Sequence, residues 1–446
     1  MKLNIKIKLI LFVTFLFFIG CMQNDKKEIK TIEIKYSKKD IKNLSLEENN
    51  NRIIFKNNNF FLLKENLNKE IILDKNYQNV FFYKNNIMVE KMNKYNLIND
   101  NGVEIFTEFY DDIKEIDKNL YAVSKDKKYA LRTDSVLLTD YIYDKIVETQ
   151  NELIIVIKNK KIGVIDRLGN EVLMTEYISM TNFSENIAIV VSNDLKTGYY
   201  IDKNGQRITQ ENFNYLLSFE NGKAIVSKNG KFGVINNLGV PTIPYEYNFL
   251  RKLDNELFVG TRKDQNYLID SNNNKITNTK FEIISELKEN VILAKKNGKF
   301  GYIDKKGNDI IPFEYSEAGN FENGLAIVQS DKNKKYGIIN KKNKFIFQPK
   351  ATYISARNQN YFVIGDDDGL ESIININGKN IMNKNYQNVV LNSNNTAFVK
   401  IEDKEFFITL DNKKEYDITN KEIVAMDDNE LILLDKEYYT IIKIKE

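Results

Sequence analysis

The chain of 446 residues contains no histidine, no tryptophan and a single cysteine, Cys21. Without histidine, Ser-His-Asp and Cys-His catalysis, imidazole metal sites and histidine general bases are excluded. The sequence also has no glycine-rich phosphate loop of either common type. Carboxylates remain as catalytic groups, and a glycosidase needs only two of them. The composition gives no reason to expect an enzyme, a cofactor, a bound metal or a small-molecule substrate.

The sequence has almost no excess of charge of either sign. It contains 65 Lys and Arg against 62 Asp and Glu, and three of the lysines, Lys2, Lys6 and Lys8, lie in the first 20 residues, which contain no acidic side chain. Removing these three leaves 62 basic against 62 acidic side chains. Because nucleic-acid binding depends on a basic surface, we do not expect a nucleic acid as a partner.

The amino terminus has the layout of a secretory signal. Three lysines precede an apolar stretch over residues 9–19, which is too short to span a membrane as a helix, and Gly20 and Cys21 follow at once. The segment Phe18-Ile19-Gly20-Cys21 resembles a bacterial lipobox, although Phe18 stands where leucine is usual. The resemblance implies removal of residues 1–20 and lipidation of Cys21, for example with palmitate.

These features predict three regions. Residues 1–20 are a lipoprotein signal peptide, residues 21–50 hold the lipidated cysteine and a polar tether, and residues 51–446 form a repeat domain. Within the tether, Ile32-Glu33-Ile34 alternates as a strand would and is compatible with pairing to the repeats. The predicted location is the bacterial cell envelope, with the protein anchored to a membrane through its lipid and facing either the periplasm or the cell surface.

A unit of roughly 34 residues recurs along almost the whole chain, and it fixes the kind of architecture that we expect. We aligned the copies on one anchor position, Asp304 in the copy Phe300-Gly301-Tyr302-Ile303-Asp304. Equivalent anchors are Asn99, Thr133, Asp166, Asp202, Asn236, Asp270, Asn340, Asn375, Thr409 and Lys443, with a weaker copy near Lys64. The chain therefore contains eleven or twelve units.

Two signals recur at fixed distances from the anchor. Three residues after it comes a glycine or asparagine, which tolerates positive φ and indicates a tight hairpin turn. These predicted turn glycines are Gly102, Gly169, Gly205, Gly239, Gly307 and Gly378, with Asn273 and Asn343 as asparagine equivalents. Eleven residues after the anchor comes an aromatic residue, such as Tyr177, Tyr247 or Tyr315, which we expect to pack in the core because it recurs in phase with the strands.

The pattern inside each unit favours strands over helices. Apolar runs such as Leu325-Ala326-Ile327-Val328 are short, rich in branched and aromatic residues, and separated by Gly and Asn turns. We predict an all-β fold of three-stranded antiparallel units: one strand ending at the anchor, one over Ile310-Ile311-Pro312-Phe313-Glu314-Tyr315 and its equivalents, and one over the apolar run. Such units would stack as a propeller-like or superhelical array, either closed or open.

The repeat resembles the bacterial WG-repeat family, whose units begin with Trp-Gly and end in a tyrosine-containing segment. The WG-like positions in this chain are Ile162-Gly163, Phe232-Gly233, Phe300-Gly301 and Tyr336-Gly337. Since the chain has no tryptophan, Phe, Tyr or Ile stands at the family's Trp position. The resemblance covers roughly residues 51 to 446 and implies the β-repeat fold, but no ligand.

Four glutamates, Glu108, Glu176, Glu246 and Glu314, recur at matching places in different units, which is typical of a structural position rather than of an active site. For function we therefore expect a lipid-anchored, non-enzymatic envelope protein that binds or scaffolds an envelope or host protein through its repeat surface. The alternative is a surface-exposed adhesin or glycan-binding lipoprotein.

Overall fold

The computed structural model describes residues 33–37, 43–45, 51–64, 69–147, 152–193, 195–277, 279–436 and 438–444. The predicted signal peptide and Cys21 lie outside these residues. In the part of the chain that is described, no helix is long and apolar enough to cross a membrane. All regular elements there are strands, so the predicted all-β fold class is confirmed.

The described strands form eleven antiparallel sheets, which we divide into twelve units numbered along the chain. Unit 1 contains β2 (Asn43–Leu44), β3 (Asn51–Lys56), β4 (Asn59–Lys64) and β5 (Lys69–Ile72), and unit 2 contains β6 (Asn79–Tyr83), β7 (Asn86–Lys91) and β8 (Lys94–Ile98). Unit 3 contains β9 (Asp112–Asp117), β10 (Leu120–Lys125) and β11 (Lys128–Arg132). Unit 4 contains β12 (Lys145–Val147), β13 (Leu153–Lys158), β14 (Lys161–Asp166) and β15 (Glu171–Tyr177). Unit 5 contains β16 (Ile187–Val191) and β17 (Gly198–Asp202). Unit 6 contains β18 (Tyr215–Leu216), β19 (Lys223–Lys228), β20 (Lys231–Asn236) and β21 (Pro241–Tyr247). Unit 7 contains β22 (Phe249–Lys252), β23 (Leu257–Arg262) and β24 (Gln265–Asp270).

Units 8 and 9 share one seven-stranded sheet, because β28 is long enough to pair with a strand of each unit. Its strands are β25 (Ile283–Lys288), β26 (Val291–Lys296), β27 (Lys299–Ile303), β28 (Asp309–Ala318), β29 (Leu325–Ser330), β30 (Tyr336–Asn340) and β31 (Phe345–Ala351). Unit 10 contains β32 (Tyr353–Arg357), β33 (Tyr361–Gly365) and β34 (Glu371–Asn375), and unit 11 contains β35 (Asn388–Leu391), β36 (Thr396–Ile401), β37 (Lys404–Thr409) and β38 (Lys414–Asp417). Unit 12 contains β39 (Glu422–Met426), β40 (Glu430–Leu434) and β41 (Tyr438–Lys443), and its sheet also includes β1 (Glu33–Ser37).

Unit 8 shows how the sequence pattern becomes a sheet. The hairpin between β26 and β27 turns at Asn297 and Gly298, whose φ values of 52° and 76° belong to a two-residue turn. The next turn, after Asp304, places Gly307 at a φ of 77°. The strand β28 then carries the Ile-Ile-Pro-Phe-Glu-Tyr segment, as expected.

Most sheets also have a strand that the sequence pattern did not predict. It directly follows the recurring aromatic residue, as β9 follows Tyr110 and β25 follows Phe281, and it pairs with the strand of the apolar run. In several units the segment after the anchor, predicted as a strand, forms only isolated bridges, for example Tyr129 with Tyr143. The strand that follows the aromatic residue was not predicted because its buried and exposed residues alternate weakly. In β25, for example, only Ile284 is buried.

Neighbouring units are held together by apolar cores that lie between them. Twelve clusters of buried side chains each join two consecutive units; Val234 of unit 6 and Phe258 of unit 7, for example, share one cluster. One of them joins the last unit to the first, through Ile441 and Ile54. The succession of packed units therefore returns to its start, a point that the sequence left open.

Two further contacts close this cycle. The strand β1 pairs with β41 over five residues, from Glu33 opposite Ile442 to Ser37 opposite Tyr438. Arg52 of unit 1, which is fully buried, donates two hydrogen bonds of 2.9 and 2.8 Å to the carboxylate of Glu430 in unit 12. Because β1 and β2 lie within residues 21–50, part of the segment interpreted as a tether belongs to the sheets.

Candidate functional site

The predicted turn glycines all lie in the left-handed region. Their φ values run from 76° to 85° at Gly102, Gly169, Gly205, Gly239, Gly307 and Gly378, and Asn273 and Asn343 have φ values of 69° and 56°. In each turn the anchor side chain accepts hydrogen bonds from backbone amides; Oδ1 of Asp304, for example, accepts from the amides of Lys306 and Asn308 at 2.8 Å. These residues shape the hairpins.

The glycines of the WG-like pairs allow two strands to approach closely. A Cβ at Gly163, Gly233, Gly301 or Gly337 would lie 2.6 to 2.9 Å from a carbonyl oxygen of the next strand. The pairing register shifts beside each of them, so the neighbouring strand bulges over the glycine. The glycine at this position is therefore required by backbone packing.

The residues that precede these glycines, Ile162, Phe232, Phe300 and Tyr336, are half-buried rather than part of the core. One of them, Phe232, is the centre of a surface feature that we call the aromatic row, which consists of Tyr215, Phe232 and Phe249. The ring of Phe232 lies 5.4 Å from that of Tyr215 and 6.0 Å from that of Phe249, both edge-to-face. Tyr215 is 46% exposed and Phe249 51% exposed, so the row crosses units 6 and 7 on the surface.

The recurring tyrosines pack inside the array. Tyr247 and Tyr315 are buried, Tyr177 is half-buried, and the hydroxyls of Tyr247 and Tyr315 donate to Oδ1 of Asn273 and Asn343 at 2.5 and 2.6 Å. Burial raises the pKa of Tyr315 to about 12, with a further contribution from Glu314. The buried rings of Tyr247 and Tyr315 are therefore not available as a stacking surface for a ligand.

A second recurring pattern consists of ion pairs on the unit surface. In units 1 to 8 the strand of the apolar run ends in a Lys or Arg in every unit except unit 5. These residues are Lys56, Lys91, Lys125, Lys158, Lys228, Arg262 and Lys296. Lys125 binds Glu108 at 2.6 Å and Lys228 binds Glu211 at 2.6 Å, while Arg262 pairs with Glu246 and stacks on Tyr247. The hydrogen bond from Lys125 lowers the pKa of Glu108.

The four recurring glutamates do not share one environment. One residue lies between Glu108 and Tyr110, whereas each of the other three glutamates directly precedes a tyrosine. Glu246 and Glu314 each accept a hydrogen bond from a turn asparagine, Asn273 at 3.0 Å and Asn343 at 3.1 Å. Glu176 accepts none among the described residues, because Gly205 stands at that turn position and Ser192 stands where Arg262 pairs with Glu246.

Beside Glu176 lies a cavity of about 410 Å³ between units 4 and 5, which we call the Glu176 cavity. Its polar lining includes Glu176, Tyr177, Ser192, Tyr199, Arg207 and Asn212. The Arg207 guanidinium lies 4.1 Å from the centre of the Tyr199 ring and donates to Oδ1 of Asn212 at 2.6 Å.

The remaining polar atoms of Asn212 hold the inserted loop of unit 5. Its Nδ2 donates to Ser192 Oγ at 3.0 Å and to Thr197 Oγ1 at 3.2 Å. Gly198 lies four residues before the anchor Asp202, as Phe232 and Phe300 lie before theirs, so it occupies the WG-like position where those units carry a ring. The cavity therefore coincides with a smaller residue at this position and with a longer loop than the two-residue hairpins of units 6 and 8.

Sequence reasoning missed Ser192 and Arg207, although a signal was present. The apolar-run strand of unit 5, β16, lacks the cation that ends the equivalent strands of units 4 and 6. The spacing between the anchors Asp166 and Asp202 is also longer than the average spacing between anchors. No group of three or more metal-ligating side chains occurs within the described ranges.

Comparison with known proteins identifies the repeat. A family model described as the WG containing repeat matches residues 162–195, 200–232, 268–300 and 300–335. No curated protein matches the chain. Among solved structures, a eukaryotic initiation factor is 12% identical over 66% of this chain and 94% of its own, with a TM-score of 0.32. The WD40 beta propeller domain of Doa1 is 10% identical over 52% of this chain and 93% of its own, with a TM-score of 0.22. The four matched segments show that the chain contains WG repeats between residues 162 and 335.

Proposed function

We propose that the chain is a lipid-anchored, non-enzymatic protein of the bacterial cell envelope that binds a protein partner through the surface of its repeat array. A WG-repeat fold is consistent with a repeat-based interaction module. The observation that carries the proposal is the aromatic row, because large apolar side chains grouped on a surface are the residues that anchor protein interfaces. No nucleic acid, cofactor or catalytic step is part of this function.

The surroundings of the aromatic row favour a protein partner. Two of its three rings are phenylalanine and carry no polar group, so they gain from burial but offer no hydrogen bond to a sugar. Charged pairs flank the row: Lys228 with Glu211, and Arg262 with Glu246. An apolar centre with a charged rim is the usual composition of a protein interface.

The membrane attachment rests on Cys21, at the end of the predicted signal. Glu33, the first residue of β1, lies twelve positions after Cys21. A segment of that length spans at most about 40 Å. A lipid on Cys21 would therefore keep the array close to the membrane, with the attachment at unit 12, where β1 pairs with β41.

The alternative is a surface-exposed adhesin or glycan-binding lipoprotein, and the polar Glu176 cavity favours it. Its lining of hydroxyl, amide and charged groups suits a polyhydroxylated ligand. The two functions use different surfaces, so they are separable by mutation.

Crosslinking in cells followed by purification of the tagged protein tests the proposed function. We expect one stoichiometric envelope protein to be captured by the parent chain and lost from the double variant Tyr215→Ser, Phe249→Ser. Both residues are exposed, so the variant should fold, as circular dichroism would verify. Val390→Ser, at an equally exposed apolar residue in unit 11, is the matched control and should retain the partner.

A separate variant tests the anchor. Cys21→Ser should move the protein from the membrane fraction to the soluble fraction, and retention in the membrane would overturn the lipid attachment. If the aromatic-row variant captures the same partner as the parent, binding through this surface is refuted.

A further inference from the structure

The Glu176 cavity lies where the repeat pattern is broken at two positions at once. The equivalent glutamate of unit 6, Glu246, is neutralised by Arg262 of unit 7 and accepts a hydrogen bond from Asn273. In unit 5 the corresponding positions are Ser192 and Gly205, so neither partner exists for Glu176. A loop insertion that interrupts a repeat array commonly marks its binding face.

Unit 9 shows that the break is not a by-product of the longer loop. Its hairpin is extended in the same place, and Ser330 stands at the position of Ser192. Yet Glu314 there still accepts a hydrogen bond from Asn343. Among the four recurring glutamates, Glu176 alone is left with a free carboxylate in the described part of the chain.

The opposite charge in the cavity is also available. Arg207 forms no ion pair among the described residues, and its guanidinium is held over Tyr199 with one nitrogen bound to Asn212. A guanidinium positioned in this way presents its remaining N–H groups in a plane, which is the geometry that binds a carboxylate. The cavity thus offers one site for an anion and one for hydrogen-bond donors.

From this arrangement we propose that the Glu176 cavity binds a small acidic sugar of the hexuronate class. The sugar carboxylate pairs with Arg207, and ring hydroxyls donate to the carboxylate of Glu176. Ser192 and Asn193 add polar groups for further hydroxyls, and the half-buried ring of Tyr177 provides an apolar wall. The volume of about 410 Å³ lies in the range of small-ligand sites. This inference does not depend on the aromatic row or on a protein partner.

Titration calorimetry on the detergent-solubilised full-length chain tests the proposal with glucuronate, galacturonate, glucose, acetate and alanine as probes. We expect a hexuronate to bind more tightly than glucose or acetate, because only a hexuronate uses both Arg207 and Glu176. Arg207→Gln and Glu176→Gln should each weaken hexuronate binding roughly tenfold or more, since each removes a hydrogen bond to a charged group.

A designed closure of the cavity provides the sharpest comparison. Ser192→Arg introduces a cation at the position from which Arg262 pairs with Glu246, so it should fill the cavity, neutralise Glu176 and abolish hexuronate binding. Ser330→Arg, the same change at the equivalent position of unit 9, is the matched control and should leave binding unchanged.

Several outcomes would overturn the proposal. These are the absence of hexuronate binding to the parent chain, equal binding of hexuronate and acetate, tighter binding of alanine than of any hexuronate, or hexuronate binding that survives Ser192→Arg. Loss of the protein partner in the aromatic-row variant bears only on the proposed function, so failure of one proposal is distinguishable from failure of the other.

Discussion

At the scale of single residues, the WG-like glycine and the residue before it have separate roles. The glycine lets the neighbouring strand bulge against its backbone, and this depends only on the absence of a Cβ. The preceding residue lies half-buried on the surface and varies among Ile, Phe and Tyr without a change in strand pairing. The glycine is therefore the fold-determining member of the pair, while the variable residue shapes the surface.

Replacing Gly301 with alanine tests this role. Its Cβ would lie 2.8 Å from the Ile311 carbonyl oxygen and 2.9 Å from Phe313 Cα, so the backbone of β28 would have to move. We expect a loss of about 1–3 kcal/mol in the free energy of unfolding, measured by urea denaturation. Gly319→Ala is the control, because its nearest atom, the Ile327 carbonyl oxygen, is 3.8 Å away. An equal effect of the two substitutions would contradict the packing argument.

At the scale of the element, the hairpin turn after the anchor is a self-contained structure. Asp304 and Asn340 use the same atom, Oδ1, to accept from the backbone amides two and four residues later. Aspartate and asparagine thus supply the same Oδ1 acceptor, but only the charged Asp304 also accepts from the Asn308 side chain, through Oδ2 at 2.9 Å.

This difference predicts a dependence of stability on pH. Burial alone would raise the pKa of Asp304, but hydrogen bonds from the Asn308 side chain and from backbone amides outweigh it, so its pKa is lowered; the pKa values of Asp166 and Asp270 are lowered in the same way. Because the folded-state pKa lies below that of the unfolded chain, about 3.9, the ionised form stabilises the fold above that pH. This stabilisation is lost as the pH falls through the folded-state pKa.

The triple variant Asp166→Asn, Asp270→Asn, Asp304→Asn should therefore lose less stability than the parent between pH 7 and pH 3. Urea denaturation at several pH values measures the difference. At pH 7 we expect the variant to be slightly less stable than the parent, because charge-assisted hydrogen bonds are replaced by neutral ones. Identical pH profiles for the two proteins would show that these turns do not contribute to acid sensitivity.

At the scale of the whole molecule, the contacts between the first and last units decide whether the array has free ends. Unit 1 and unit 12 share an apolar cluster, and β1 completes the sheet of unit 12. Arg52 and Glu430 form a buried ion pair across this junction, and Lys443 lies 3.1 Å from the same carboxylate. Closure leaves neither terminal core uncovered, which an open array would have to protect with capping units.

Removing one member of the buried pair should destabilise the closed array strongly. Glu430→Ala leaves the Arg52 charge buried without its carboxylate and should cost roughly 3–5 kcal/mol in urea denaturation. The double variant Arg52→Met, Glu430→Met should recover most of that loss, because both charges are removed together. Glu415→Ala, which breaks the exposed pair with Lys384, is the control and should cost no more than about 1 kcal/mol. If Glu430→Ala costs no more than Glu415→Ala, the pair does not hold the junction.

The sequence by itself determined the β-repeat, the turn positions and the WG-like glycines, because each depends on contacts within one unit. Lipidation of Cys21 remains a prediction from the sequence, outside the described residues. The strand that follows the recurring aromatic residue in most units was not predictable, because its buried and exposed residues alternate weakly. Only the tertiary structure decided that β1 closes the array on β41 and that Arg52 meets Glu430, since these contacts join opposite ends of the chain. It also decided that Glu176 lacks the partners of its equivalents, because Glu176 belongs to unit 4 whereas Ser192 and Gly205, which stand at the partner positions, belong to unit 5.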